Sequence, residues 1–200
     1  MPPISVPRIP LISGVACLAA SFAASAADVV KATPLAPPSP ASPALFESLA
    51  PAKTGVSFIN SIDITHPWKF LYASSMSTGG VAVGDFDGDS RPDIFFSGGP
   101  GKNKLYRQKA PMVFEDVTSR AGVDGGDAWG GGCSMVDVNG DGRLDLYVCN
   151  YLTPNQLFLN NGDGSFTEKA KEYRLDITDA SHTPTFCDYD GDGKLDIYIL

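Results

Sequence analysis

Three short stretches of this sequence crowd acidic side chains onto alternate positions: Asp85–Asp93, Asp137–Asp145 and Asp188–Asp196. Numbered within each stretch, position 1 is Asp85, Asp137 or Asp188, and position 3 is Asp87, Asn139 or Asp190. Position 5 is Asp89, Asp141 or Asp192, and position 9 is Asp93, Asp145 or Asp196. Alternate residues of a tight turn can aim side chains at one point, and a hard cation such as Ca²⁺ takes six to eight oxygens at about 2.3–2.6 Å. Position 7 (Arg91, Arg143, Lys194) is expected to offer its backbone carbonyl and to turn its charged side chain to solvent. Eleven carboxylates fall in the three stretches, against a net charge of −8 for the whole chain. So many like charges at short range repel strongly unless a cation is shared among them. One Ca²⁺ per loop, three in this chain, is therefore the expectation. Magnesium favours fewer protein ligands and more water, and an all-oxygen donor set argues against zinc or copper. An EF-hand is excluded in all three copies, because position 12 is Phe96, Val148 or Ile199 where that loop needs a bidentate Glu.

The elements that must position these loops repeat with them. Loop starts are 52 and 51 residues apart, and Asn103, Leu105 and Phe114 recur as Asn155, Leu157 and Phe166. Such self-similarity is the mark of a repeat architecture. Each loop lies between two short apolar runs: 80–84 and 94–96, then 132–136 and 146–148, then 183–187 and 197–199. These are too short for helices and rich in aromatic and β-branched residues, which predicts strands. Third and fourth strands are expected at 105–106 and 113–114, and at 157–159 and 165–167. The turn Asn161–Gly164 joins the latter two. Four antiparallel strands in about 50 residues make one β-propeller blade. The fold class expected is thus all-β, with blades near 79–130 and 131–181 and an incomplete third at 182–200. Two and a half blades fall short of a ring, so the 200 residues are taken as the front part of a longer propeller whose remaining blades are its first partners. Residues Thr54–Ile59 are expected to form a strand that completes the last blade.

The loops resemble the calcium-binding hairpins of FG-GAP and VCBS-type repeats, the blades of the integrin α-subunit propeller. Gly84–Asp89 followed by Pro92, Asp93 and Ile94 is close to the family motif, and Asn155–Phe166 is similar to the strand, turn and strand of such blades. Trp129, Gly130 and Gly131 resemble the approach to the loop in exported proteins similar to the cartilage acidic protein family. The resemblance departs at Ser97–Pro100 and at Cys149 and Asn150, which stand where the Gly-Ala-Pro part of the motif belongs. It implies an exported calcium-binding propeller that acts as a binding or adhesion module.

The N-terminus has the order of a secretory signal over 1–26. Arg8 is the only charge before Asp28, an apolar run spans 9–23, and Ala24, Ser25 and Ala26 supply small residues at a cleavage site. Cys17 offers a lipoprotein alternative. Prolines and alanines over 27–53 make an extended linker, and the folded part is placed at 54–200. No later stretch is long and apolar enough to span a bilayer. The predicted location is secreted, periplasmic or cell-surface. An acidic chain with 15 Lys and Arg against 23 Asp and Glu is a poor match for nucleic acid, so a protein or glycan partner is expected instead. No nucleophile elbow, phosphate-binding glycine loop or catalytic triad order is present, which points away from an enzyme. A polysaccharide-active propeller, with its catalytic residues beyond residue 200, is the alternative. His66 and His182 lack metal-spaced partners, and Trp68 and Trp129 are expected to pack. If the second hairpin is symmetric about Asp141, Cys133 faces Cys149 within disulfide reach, which leaves Cys187 as a free thiol.

Overall fold

The computed structural model describes residues 46–61, 63–73 and 79–200. The expected signal over 1–26 and most of the 27–53 linker lie outside the described residues.

β-Branched and aromatic runs separated by glycine-rich turns form two four-stranded antiparallel sheets and a hairpin. β1 (Gly80–Gly84), β2 (Asp93–Ser97), β3 (Lys104–Ala110) and β4 (Val113–Asp116) pair in sequence order. β5 (Gly130–Val136), β6 (Asp145–Asn150), β7 (Gln156–Asn160) and β8 (Phe166–Glu168) repeat the arrangement, and β9 (Pro184–Cys187) pairs with β10 (Asp196–Ile199). These are the blades predicted, and they succeed one another without closing a ring. Among the described residues three single α-helical turns accompany them, α1 (Pro51–Thr54), α2 (Thr118–Ala121) and α3 (Ala170–Tyr173), with a 3-10 helix at Lys69–Ala73. No described helix is long and apolar enough to cross a membrane.

Period-2 burial stacks the blades face to face. Leu146 and Val148 of β6 join Phe95 and Leu105 of the first blade in one apolar cluster. Tyr147 and Cys149, the alternate residues of the same strand, pack with Phe186, Ile197 and Ile199 of the third hairpin. β6 is therefore buried along its whole length, as a strand between two sheets must be. The first strands of successive blades approach by backbone. A Cβ on Gly80 would lie 2.8 Å from Cys133 N and Gly131 O, and one on Gly132 would lie 2.6 Å from His182 O. Gly132 N also donates to His182 O at 2.6 Å, and Gly130 N to Gly98 O at 2.8 Å.

Two expectations are corrected. The hairpin register pairs Gly84 with Asp93, Val136 with Asp145 and Cys187 with Asp196, so position 9 faces the residue before position 1. Cys133 consequently faces Val148 and packs in the first cluster, while Cys149 points into the second. A one-residue difference in register places a side chain on the other face, and Cys133, Cys149 and Cys187 are all free. Burial pushes the Cys149 thiol up to about 12 and that of Cys133 to about 11. Residues 54–59 form no strand. Gly55 caps α1 with φ 80°, and the chain then lies on the first blade, with Phe58 stacked on Phe96 at 4.8 Å.

Candidate metal centres

Each Asp-rich loop is built around the carboxylate at position 1, which folds the turn by accepting three backbone N–H groups. Asp85 Oδ1 accepts from Gly88 (2.8 Å) and Asp89 (3.1 Å), and its Oδ2 accepts from Ser90 (2.7 Å). Asp137 repeats this with Gly140 (2.8 Å), Asp141 (3.2 Å) and Gly142 (2.8 Å). Asp188 repeats it with Gly191 (2.8 Å), Asp192 (3.1 Å) and Gly193 (2.9 Å). The turn requires positive φ at positions 4 and 6. Glycine supplies it everywhere except at Ser90, which holds φ 65°. Burial of Asp137 is outweighed by these N–H donors, and its carboxyl falls below the ordinary value.

Position 9 ties the loop to the blade. Asp93 accepts from Phe86 N (3.1 Å) and from Gln108 N of β3 (2.8 Å), and Asp145 accepts from Val138 N (3.0 Å) and Asn160 N of β7 (2.8 Å). Asp196 accepts from Tyr189 N (2.9 Å). Burial, reinforced by the charges of Asp87 and Asp89 against the two N–H donors, pushes Asp93 up to about 6. Burial raises Asp145 as well, with Asp141 and Asp137 adding to it.

Ligand atoms of Asp85, Asp87 and Asp89 lie within 4.8 Å of one another, as do those of Asp188, Asp190 and Asp196. Convergent all-carboxylate donor sets of this kind fit a hard divalent cation, and beside the first set burial, with the charges of Asp87 and Asp89 adding to it, disfavours the ionised form of Asp93. In the second loop Asn139 stands in for the position-3 carboxylate. Its Nδ2 donates to Asp141 Oδ2 (2.9 Å), and its Oδ1 accepts from Asp141 N (3.0 Å).

Position 7 departs from expectation, because its side chain turns back onto the loop. Arg91 and Arg143 pair with Asp89 and Asp141 at position 5, and Lys194 Nζ lies 2.9 Å from Asp192. Arg91 Nε further donates to Gln108 O (2.9 Å), and Arg143 Nε to Asn160 O (3.0 Å). A cation beside several carboxylates of one loop is drawn to their summed negative charge even while it stays partly hydrated. Arg107 of β3 was not foreseen at all. Its Nε pairs with Asp87, and its Nη2 lies 3.1 Å from Asp89. The signal available was its match, 52 residues on, with Leu159, which marks a difference between two otherwise parallel blades.

The loops also hold neighbouring blades together. Phe86, at position 2, is buried against Phe166 of the second blade at 5.7 Å. Asn160 Nδ2 donates to Phe86 O (2.8 Å) and Leu144 O (3.1 Å).

A family model described as an FG-GAP-like repeat matches residues 85–148 and again 137–199, together more than half of the sequence. The chain belongs to the FG-GAP-like repeat family. Among curated proteins, this FG-GAP chain is 31% identical to cartilage acidic protein 1 of Xenopus tropicalis over 123 residues, covering 60% of this chain and 19% of that protein. The human cartilage acidic protein 1 is 30% identical over 123 residues, covering 60% and 18%. Integrin alpha pat-2 of Caenorhabditis elegans is 36% identical over 89 residues, covering 41% and 7%. The chain thus spans no more than 19% of the length of these relatives.

Outside the FG-GAP loops, Trp129 is buried as expected and His66 packs against its ring at 4.9 Å. His66 Nδ1 accepts from Trp68 N (3.1 Å), and Trp68 meets Tyr151 at 5.4 Å. This aromatic cluster is packing, as was expected of the tryptophans.

Proposed function

We propose that this chain forms calcium-stabilised blades of an exported β-propeller that binds an extracellular protein or glycan. The ion in each loop is structural. The observation that carries this reading is the threefold repetition of one loop, with the same position-1 carboxylate organising three backbone N–H groups each time. Side chains at positions 1, 3, 5 and 9 and the carbonyls of Arg91, Arg143 and Lys194 are the proposed ligands. Bound calcium would neutralise the carboxylates. The chain's own residues do the rest: position 1 shapes the turn, and position 9 anchors it to β3 or β7. Relatives named for cartilage and as an integrin alpha subunit support an extracellular binding role, and neither name denotes a catalytic activity.

The substitution Asp141→Ala tests it. One ligand of the second loop is lost, and the linkage between ion binding and folding turns that loss into lost stability. The melting temperature in saturating calcium should fall by about 5–10 °C, and less of it should depend on calcium than in the parent. A variant with parental melting and parental calcium response would defeat the structural reading. Unchanged melting with selective loss of turnover on a polysaccharide would support the enzymatic alternative.

A further inference from the structure

The three loops differ in how their negative charge is compensated. Loop one has four carboxylates and two guanidiniums, Arg91 and Arg107. Loop two has three carboxylates and one guanidinium, Arg143. The net charge of both is −2, reached by different routes. Where position 3 is Asp87, β3 sends Arg107 across positions 3 and 5. Where position 3 is Asn139, the matching residue of β7 is Leu159, which packs in the second apolar cluster. Loop three has four carboxylates, and Lys194, its ion-pair partner among the described residues, has a side chain that is 83% exposed. Arg107 is held more firmly, at 32% exposure against carboxylates of 17% and 18%.

We propose that Arg107 acts as a built-in counter-cation of the first loop. It competes with calcium for Asp87 and Asp89 and makes this a weaker site than the second loop, where Leu159 holds the matching position. The inference rests on the calcium reading above. A cation between positions 3 and 5 would face the guanidinium charge and compete with it for Asp87 Oδ2 and Asp89 Oδ2, so binding there works against that pair. The first loop thereby keeps its shape at calcium levels that leave the second unfilled.

The test compares full-length parent and Arg107→Leu, the residue of the matching position in the second blade. Melting is followed in chelator and in rising calcium, with calorimetry for affinity. Loss of the guanidinium leaves Asp87 and Asp89 repelling each other, so the variant should melt earlier in chelator. It should show a larger calcium-induced rise and about a tenfold tighter first site. The gain should persist with Asp141→Ala, which touches another loop, and should shrink with Arg107→Lys, which retains the charge. Asp87→Asn combined with Arg107→Leu recreates the second loop and should bind as that loop does. A purely architectural Arg107 lowers melting equally with and without calcium, and that result would overturn the inference while leaving structural calcium intact. A parent indifferent to calcium would overturn both.

Discussion

At the scale of single residues, the loops show why aspartate occupies positions 1 and 9 for reasons beyond metal binding. A position-1 carboxylate accepts three N–H groups, and the position-9 carboxylate accepts one from the loop and, in the two complete blades, where it is buried, one from the third strand. An alanine there would lose the turn as well as any ion, so position 5 isolates the role of the proposed ion better. Ser90 is the residue out of keeping with its repeat. It takes φ 65° where Gly142 and Gly193 take 86° and 83°. A left-handed conformation costs a non-glycine residue about 1–2 kcal/mol, partly offset by the greater chain entropy that glycine loses on folding. Ser90→Gly should therefore stabilise the protein by about 0.5–1 kcal/mol. The urea midpoint should move up at constant slope, and a lower midpoint would contradict the strain argument.

At the scale of elements, the recurring Asn and Gly positions explain how blades are assembled. Asn103 Oδ1 accepts from Gly98 N (3.1 Å), and Asn155 Oδ1 accepts from Asn150 N (2.7 Å), so the repeated asparagine closes the turn between second and third strands. Gly80 and Gly132 sit where one first strand meets the next. A methyl group at position 80 would meet three backbone atoms of β5 at 2.8–2.9 Å, none of which can swing away as a side chain could. Gly80→Ala should cost about 1–3 kcal/mol or more through forced separation of the first two blades. The loss should appear equally in chelator and in calcium, because no metal ligand is touched. A neutral melting curve would show that the first strands slide apart freely.

At the scale of the whole molecule, the Asp-rich loops and blade interfaces form one mechanical unit. Phe86 lies inside a loop yet belongs to the cluster shared with Phe158 and Phe166 of the next blade. Val138, at the same position of the second loop, packs on the cluster shared with Phe186 and Ile197. Ion binding should thus stiffen the contact between blades as well as the hairpin. On the proposed calcium reading, each site would add about 2.7 kcal/mol when calcium exceeds its dissociation constant a hundredfold. Chelation should accelerate hydrogen exchange at Gly88–Ser90 and also at β8, although Phe166 lies far from the loop in sequence. Faster exchange confined to the loops would show that they act on their own hairpins alone.

The sequence by itself determined the repeat, the strands and the Asp-rich loops. These depend on local spacing: alternate positions within a nine-residue loop, period-2 apolar runs, and glycine where the backbone needs positive φ. It missed α2 and α3, because a single helical turn of four residues is too short to show a period. The turn between the hairpin strands was a matter of one residue, and local symmetry about Asp141 put Cys133 opposite Cys149. The position-1 carboxylate sets a turn in which position 9 pairs instead with the residue before the loop, and the two thiols fall on opposite faces. Only the tertiary structure decided the fate of the cations. Arg107 reaches the first loop because β3 pairs beside β2, and Arg91 and Arg143 turn inward because a third-strand carbonyl waits at 2.9–3.0 Å. Such placements depend on which strand lies beside which loop and how deeply the carboxylates are buried, and neither is a property of residue spacing within the loop.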